Sequence, residues 1–316
     1  MSFIQLILFI GIALTAEHQE LIGNNEEKDD KKAYNTDLGS GFSYKSVPNE
    51  KKEGMTNMNI DLTGKIAVVT GGTGQLGRTM VRSLAECGAN VAICFYSNKD
   101  FANELKAEIE KNFSVKAIAV YADVTKLESI MAMKDEVTKT LGTADIIINN
   151  AVRQYAWKSV LEQSVEDYEG QFKSSVLHNV CMTKAFVPDM VNKRYGRVIA
   201  INTECSIQNF PTQSAYVSGK HGMNGVLRVL AKEVGPYNIT VNQVAPGWTI
   251  SDNGRNPSGS EKNINQEFPY IDRVPMLRRG TDTEIANAVC FLASDLAGFI
   301  TGAFLPVCGG NVMTCI

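Results

Sequence analysis

The sequence predicts an α/β fold, a single doubly wound parallel sheet with helices on both faces, preceded by an N-terminal extension. Three observations carry this. From residue 65 onward short β-branched runs alternate with longer segments of helical period, the sequence form of βαβ units. The strand-like runs are apolar enough to be covered on both faces. A glycine-rich turn follows the first of them and opens a helix-like stretch.

Taken in order, the strands are expected at 65–70, 90–95, 116–121, 145–148, 197–202, 240–244 and 304–307. Each is a run of four to six residues, too short for a helix, and all but 240–244 are mostly Val, Ile, Ala, Leu or Phe. Between them the apolar residues recur at helical spacing, which predicts helices over 76–87, 99–112, 126–140, 165–192, 213–234 and 282–292. Residues 251–280 break the rhythm, being polar and rich in Gly, Pro and Asn. A loop of that length in a compact domain is a lid or a disordered segment.

Before residue 59 there is no such alternation. Residues 3–16 are an apolar run followed by a polar one, the layout of a secretory signal. No Lys or Arg precedes the run, Leu14 stands where cleavage after Ala16 wants a small residue, and the stretch is shorter than the ~20 residues that span a bilayer. Residues 1–16 are therefore a candidate signal or anchor, or an upstream extension on a domain that begins at Met55 or Met58. Residues 17–58 are charged and without periodicity, which predicts a disordered linker. The remaining 59–316 form one domain. Taken alone that domain reads as cytoplasmic; residues 1–16 would send it to the secretory pathway or, as an anchor, bring it to a membrane.

Composition narrows the partners. The 316 residues are 44% hydrophobic and 21% charged, enough for a sizeable core and unlike a disordered or fibrous chain. The net charge of −3 is accounted for by residues 17–53, leaving the folded part neutral and without a Lys/Arg run. That argues against a nucleic-acid binder and for a small-molecule partner. The seven cysteines (Cys87, Cys94, Cys181, Cys205, Cys290, Cys308, Cys315) are scattered through apolar segments with no C-x-x-C pair, beside only three histidines. They read as buried thiols, neither a disulfide framework nor a zinc site.

Two motifs carry chemistry. Gly72-Thr73-Gly74-Gln75-Leu76-Gly77 fits G-x-G-x-x-G between a strand and a helix, where the backbone can approach a pyrophosphate seated at the helix N-terminus. At the end of the second strand, ~20 residues on, an NAD site holds a carboxylate for the ribose hydroxyls. Here Phe95 stands in that place, and Ser97, Asn98 and Lys99 offer donors and a charge to a 2′-phosphate, with Asp100 read as the cap of the next helix. NADP is the expected cofactor, with NAD possible. The second motif is Tyr216-x-x-x-Lys220, two residues sharing a helix face, in which an ammonium one turn away stabilises a phenolate.

With these motifs, Asp123-Val124 after the third strand, Asn149-Asn150-Ala151 after the fourth, Val244-Ala-Pro246-Gly247 and a closing Gly309-Gly310, the sequence from about Asp61 to Gly310 resembles the short-chain dehydrogenase/reductase family. The resemblance is to its compact single-domain branch, and within it to the 3-oxoacyl-carrier-protein reductase type. It implies a Rossmann fold and hydride transfer between a nicotinamide and a carbonyl or secondary alcohol substrate. It also implies Tyr216 as general acid or base, Lys220 as ribose ligand that lowers the Tyr216 pKa, no metal, and a homodimer or homotetramer. A cofactor set follows: Gly71, Thr73, Gly74, Gln75, Leu76, Gly77, Ser97, Asn98, Asp123, Val124, Asn150, Ala151, Tyr216, Lys220, Pro246, Gly247, Trp248 and Ser251.

Several positions depart from the family pattern. The family serine falls on Thr203, with Cys205 and Ser206 nearby. The helix asparagine that supports a proton-relay water falls on Ser175, with Asn179 one turn on and His178 a packing candidate. A loop glycine is Gln75, and the glycine after Asn-Asn-Ala is Val152. Two other readings stay open: a nucleotide-binding scaffold whose activity has decayed, motivated by Thr203 and Ser175, and a sugar epimerase or dehydratase of the extended branch, whose glycine spacing 71-74-77 also fits. Only 100 residues follow Tyr216, too few for a substantial separate substrate domain.

Overall fold

The computed structural model describes residues 59–250 and 271–313. The proposed signal or anchor, the linker, Ser251, most of the 251–280 segment and Cys315 lie outside the described residues.

Seven parallel strands make the sheet: β1 (Ile66–Thr70), β2 (Asn90–Phe95), β3 (Ala117–Tyr121), β4 (Ile146–Asn149), β5 (Gly196–Ile201), β6 (Ile239–Pro246) and β9 (Phe304–Val307). Their order is β3-β2-β1-β4-β5-β6-β9, so the order reverses between β1 and β4 and opens a crevice beyond their carboxyl ends. Two residues of β7 (Thr249–Ile250) pair with two of β8 (Gly280–Thr281), closing the base of the 251–280 segment. The helices are α1 (Gln75–Glu86), α2 (Lys99–Asn112), α3 (Leu127–Thr140), α4 (Val165–Phe172), α5 (His178–Lys193), α6 (Ser214–Val234) and α7 (Asp282–Ala293).

Successive strand residues point to opposite faces, and the core divides accordingly. Val69, Ile93 and Ile148 pack with Met80 and Leu84 of α1, Leu105 of α2 and Val289 of α7. Val68, Cys94 and Ile147 pack with Met133 of α3, Phe186 of α5 and Leu227 of α6 on the other side. Near-complete burial of the central strands is why they read as unbroken apolar runs, whereas the edge strands β3 and β9 are less covered. α1 and α7 are tied by Thr79 Oγ1 donating to Asp282 at 2.9 Å, and α7 starts in a capping box of Thr281 and Glu284.

Three expectations need correction. The helix expected over 165–192 is interrupted: Lys173–Leu177 winds as a π-helical turn between α4 and α5, holding one residue more per turn, and Ser175 lies in it. The cap of α2 is Asn98, whose Oδ1 accepts from the Phe101 N–H at 3.3 Å, while Asp100 sits in the first turn. Of the six described cysteines, all free, Cys94, Cys205 and Cys290 are buried but Cys87, Cys181 and Cys308 are partly exposed.

Candidate active site

β1 ends at Thr70, and the chain turns through Gly71 at φ +63°, a conformation that suits glycine. The turn is held from β4: Asn150 Nδ2 donates to the carbonyls of Thr70 (3.0 Å) and Gly71 (3.1 Å), and Thr70 Oγ1 accepts from the Asn150 and Ala151 N–H groups. Asn150 thus serves the loop with the amide that the sequence reading offered to a cofactor. Gly74 is the N-cap of α1 and has no side chain to cap it, and Gln75, Leu76 and Gly77 form the first turn, where the positive end of the helix dipole lies. Gly77 packs so closely on Gly71 that a β-carbon there would stand 2.0 Å from the Gly71 carbonyl oxygen. This loop, with Thr73 partly buried in it, fits a pyrophosphate by donor type and by the room the glycines leave.

Beyond the loop a groove of about 560 Å³ runs past Gly71, Ser97, Asp123, Val124 and Ala151. Asp123 accepts from the Thr125 N–H (3.0 Å) and hydroxyl (2.6 Å); burial pushes its carboxyl up, but these bonds and Lys126 outweigh it and leave it below the usual range. Phe95 is buried, its ring edge-on to Tyr121 at 6.1 Å, and lines the groove where an acidic residue would meet ribose hydroxyls. Asn98, by contrast, spends its Oδ1 on α2.

A second cavity, of about 210 Å³, adjoins the groove and is walled by Thr203, Glu204, Tyr216, Pro246 and Trp248 together with Tyr155. Thr203 lies two residues beyond β5; its Oγ1 accepts from the Cys205 N–H at 3.2 Å and the hydroxyl lies beside the Tyr216 phenol. Lys220 is 4% exposed, one turn along α6, with Nζ donating to the Ile201 carbonyl at 2.5 Å and standing 5.7 Å from the centroid of the Tyr216 ring. Gly247 follows β6 and its N–H donates to the Val307 carbonyl at 3.0 Å.

Burial raises the Tyr216 phenol well above its ordinary value, and the Thr203 hydroxyl pulls it back only in part. Burial also lowers Lys220, to about 8, because an ammonium out of water is costly.

Ser175 is buried and its hydroxyl has no protein partner among the described residues. Asn179 occupies the Ser175 carbonyl, donating to it at 2.7 Å, and accepts from Asn149 at 2.7 Å. His178, also buried, has Nδ1 3.2 Å from the Ser174 carbonyl; burial and then the Lys220 charge lower it to about 4, so it is neutral. Sequence reasoning missed Tyr155, whose hydroxyl accepts from the Tyr216 N–H at 2.8 Å and caps α6, and Glu204. Neither belongs to a local pattern. Among the described residues no group of three His, Cys, Asp or Glu side chains could hold a metal ion, and no helix is long and apolar enough to cross a membrane.

The comparisons with known proteins agree with this architecture. The family model described as Enoyl-(Acyl carrier protein) reductase matches residues 73–311. The 3-oxoacyl-[acyl-carrier-protein] reductases of Staphylococcus aureus and Aquifex aeolicus are similar, at 35% identity over 251 residues and 34% over 255; the alignments cover 79% and 80% of this chain and 98% and 99% of theirs. Among solved structures, NAD+-bound xylitol dehydrogenase aligns with TM-score 0.70 and 28% identity, covering 79% of this chain and 99% of that one. A blue fluorescent protein from a metagenomic library, in complex with NADPH, aligns with TM-score 0.70 and 29% identity, covering 80% and 100%. The last strands of the sheet, β6 and β9, come from the 100 residues after Tyr216, which disfavours the extended-branch reading with its separate substrate domain. Motif order, sheet topology and relatives aligned over their full length together establish that the chain belongs to the short-chain dehydrogenase/reductase family, as an NAD(P)-dependent oxidoreductase acting on carbonyl or alcohol groups.

Proposed function

We propose that the protein reduces a small carbonyl compound, or oxidises the matching secondary alcohol, with NADPH preferred over NADH. The observation that carries this is the convergence of Thr203 and Tyr216 on a cavity of about 210 Å³ that adjoins the groove at the sheet's switch point, with the Lys220 ammonium 5.7 Å from the Tyr216 ring. When bound, the dinucleotide supplies or accepts the hydride. Gly71, Thr73, Gly74, Gln75, Leu76 and Gly77 would hold its pyrophosphate; Asp123, Val124, Asn150 and Ala151 would flank its adenosine side; Pro246, Gly247 and Trp248 would flank the nicotinamide. Lys220 would bind the nicotinamide ribose and, through it, ease proton loss from Tyr216.

Tyr216 gives its phenolic proton to the developing alkoxide, or takes one from the alcohol. Thr203 donates its hydroxyl to the same oxygen, in the manner of an oxyanion donor. Ser175, with Asn179 fixed on its carbonyl, supports the path by which Tyr216 is reprotonated. The NADPH preference is supported by Phe95 in place of a carboxylate and by Ser97 in the groove, with Lys99 two residues on in the chain; an ammonium lacks the fork of an arginine, so the preference is moderate. A homodimer or homotetramer is proposed on the family membership alone. The relatives' names make 3-oxoacyl thioesters the first substrates to try.

The test is a spectrophotometric screen of the purified protein with NADPH and NADH against a panel of ketones, aldehydes and 3-oxoacyl thioesters. Turnover that Tyr216→Phe removes is the expected result; nucleotide binding without turnover of any carbonyl would favour the decayed scaffold.

A further inference from the structure

Glu204 stands in the cavity wall with no part in the proton chemistry of Thr203 and Tyr216. It follows Thr203 in the chain, on the 3-10 turn Glu204–Ser206, and is 2% exposed. Its carboxyl lies against Gly247, where a β-carbon would meet Oε2 at 2.9 Å, and Oε2 accepts from Asn311 Nδ2 at 3.0 Å. A carboxylate removed from water needs a cation or several donors around it. Among the described residues Glu204 has one amide donor, and no lysine or arginine acts on it. Arg153 shares the cavity but turns its guanidinium onto Gly170 of α4, where a β-carbon would meet Nη1 at 2.7 Å. Burial consequently pushes the Glu204 carboxyl above the usual glutamate range, with Asn311 pulling back.

The other walls are aromatic. Tyr155, Trp157, Tyr216 and Trp248 face the same space, and Phe210 braces Trp248 edge-on with ring centroids 6.3 Å apart. Aromatic faces attract cations, so the carboxylate and the rings share one electrostatic preference. The volume of about 210 Å³ leaves room for a single small ring.

Resting on the reading of this cavity as the carbonyl site, we propose that Glu204 determines specificity and that the substrate is a small carbonyl compound bearing an ammonium group, its cation seated between the Glu204 carboxylate and the aromatic wall. Such a ligand supplies a counter-charge that none of the described residues gives Glu204. A neutral ligand leaves the carboxyl uncompensated, and the site then pays by protonation.

The test uses two ketones of one shape, 1,1-dimethyl-4-oxopiperidinium and 4,4-dimethylcyclohexanone, which differ by a quaternary nitrogen for a quaternary carbon. The ratio of their kcat/KM values is measured at saturating reduced nucleotide for the wild type, Glu204→Gln and Glu204→Asp. The expected wild-type ratio favours the cation at least tenfold, Glu204→Gln lowers it at least tenfold, and Glu204→Asp keeps a preference for the cation. A wild-type ratio at or below one overturns the inference without any variant, as does a ratio that Glu204→Gln leaves unchanged, or turnover confined to other, neutral carbonyls. In those cases the carbonyl reductase reading survives. Failure to reduce any carbonyl with either nucleotide overturns both.

Discussion

Replacing Gly77 by alanine tests whether the glycine loop is a packed cofactor cradle or only a turn. The added β-carbon would stand 2.0 Å from the Gly71 carbonyl oxygen, 2.9 Å from its carbon and 3.0 Å from Asn150 Nδ2. Non-bonded carbon contacts settle at ~3.5–4.0 Å, so the loop and the start of α1 must separate by more than about 1 Å. Overpacking of this kind costs ~1–3 kcal/mol, and alanine returns ~1 kcal/mol through helix propensity. The net loss is up to about 2 kcal/mol, or roughly 4–8 °C in Tm for a domain of this size. The same movement breaks the bonds by which Asn150 holds the Thr70 and Gly71 carbonyls, at 3.0 and 3.1 Å, so dinucleotide affinity falls at least tenfold. Thermal melting with and without NADPH, together with a fluorescence titration of NADPH, reads both effects. A Tm within about 1 °C of wild type and unaltered affinity would refute the argument, because the loop could then yield without loss.

Other perturbations follow from the same geometry. Tyr216→Phe removes only the ionisable oxygen and should abolish hydride transfer while leaving nucleotide affinity nearly intact; wild-type turnover would sink the assignment. Thr203→Ser should stay active and Thr203→Val should lose ~10²–10³ in kcat, one oxyanion donor being removed; a harmless Thr203→Val beside an inactive Ser206→Ala would move the role to Ser206. Phe95→Asp should shift the NADPH/NADH ratio of kcat/KM towards NADH, and because Phe95 is a buried ring packed on Tyr121 the variant should also melt lower. Lys220 has its folded-state pKa lowered to about 8, so between that pH and the ordinary lysine range the folded chain binds fewer protons than the unfolded one and native stability rises with pH. Lys220→Met removes that dependence: the inactive variant should gain most in Tm over wild type near pH 7, the gain shrinking towards pH 10. A difference constant across that window would show that Lys220 is not desolvated.

The sequence by itself determined the element order, the doubly wound class and the family, because each rests on local information. Apolar runs, helical spacing and motifs such as Gly71 to Gly77 and Tyr216-x-x-x-Lys220 are contiguous, and the strand positions drawn from them lie within two residues of β1 to β6 and coincide at β9. Tertiary structure decided what depends on neighbours distant in the chain. The π turn at Lys173–Leu177 is only five residues long and runs directly on from one helix into the next, so nothing local announces that Ser175 sits in it. The choice of Asn98 over Asp100 as cap is a matter of backbone dihedrals at adjacent polar residues. Tyr155 reaches the Tyr216 N–H across 61 positions, and Asn311 reaches Glu204 across 107, so the cavity wall has no sequence signature. The Tyr216 and Lys220 pKa values were out of reach for the same reason: spacing places the ammonium one turn from the phenol, but desolvation, set by everything packed around the pair, raises the one and lowers the other.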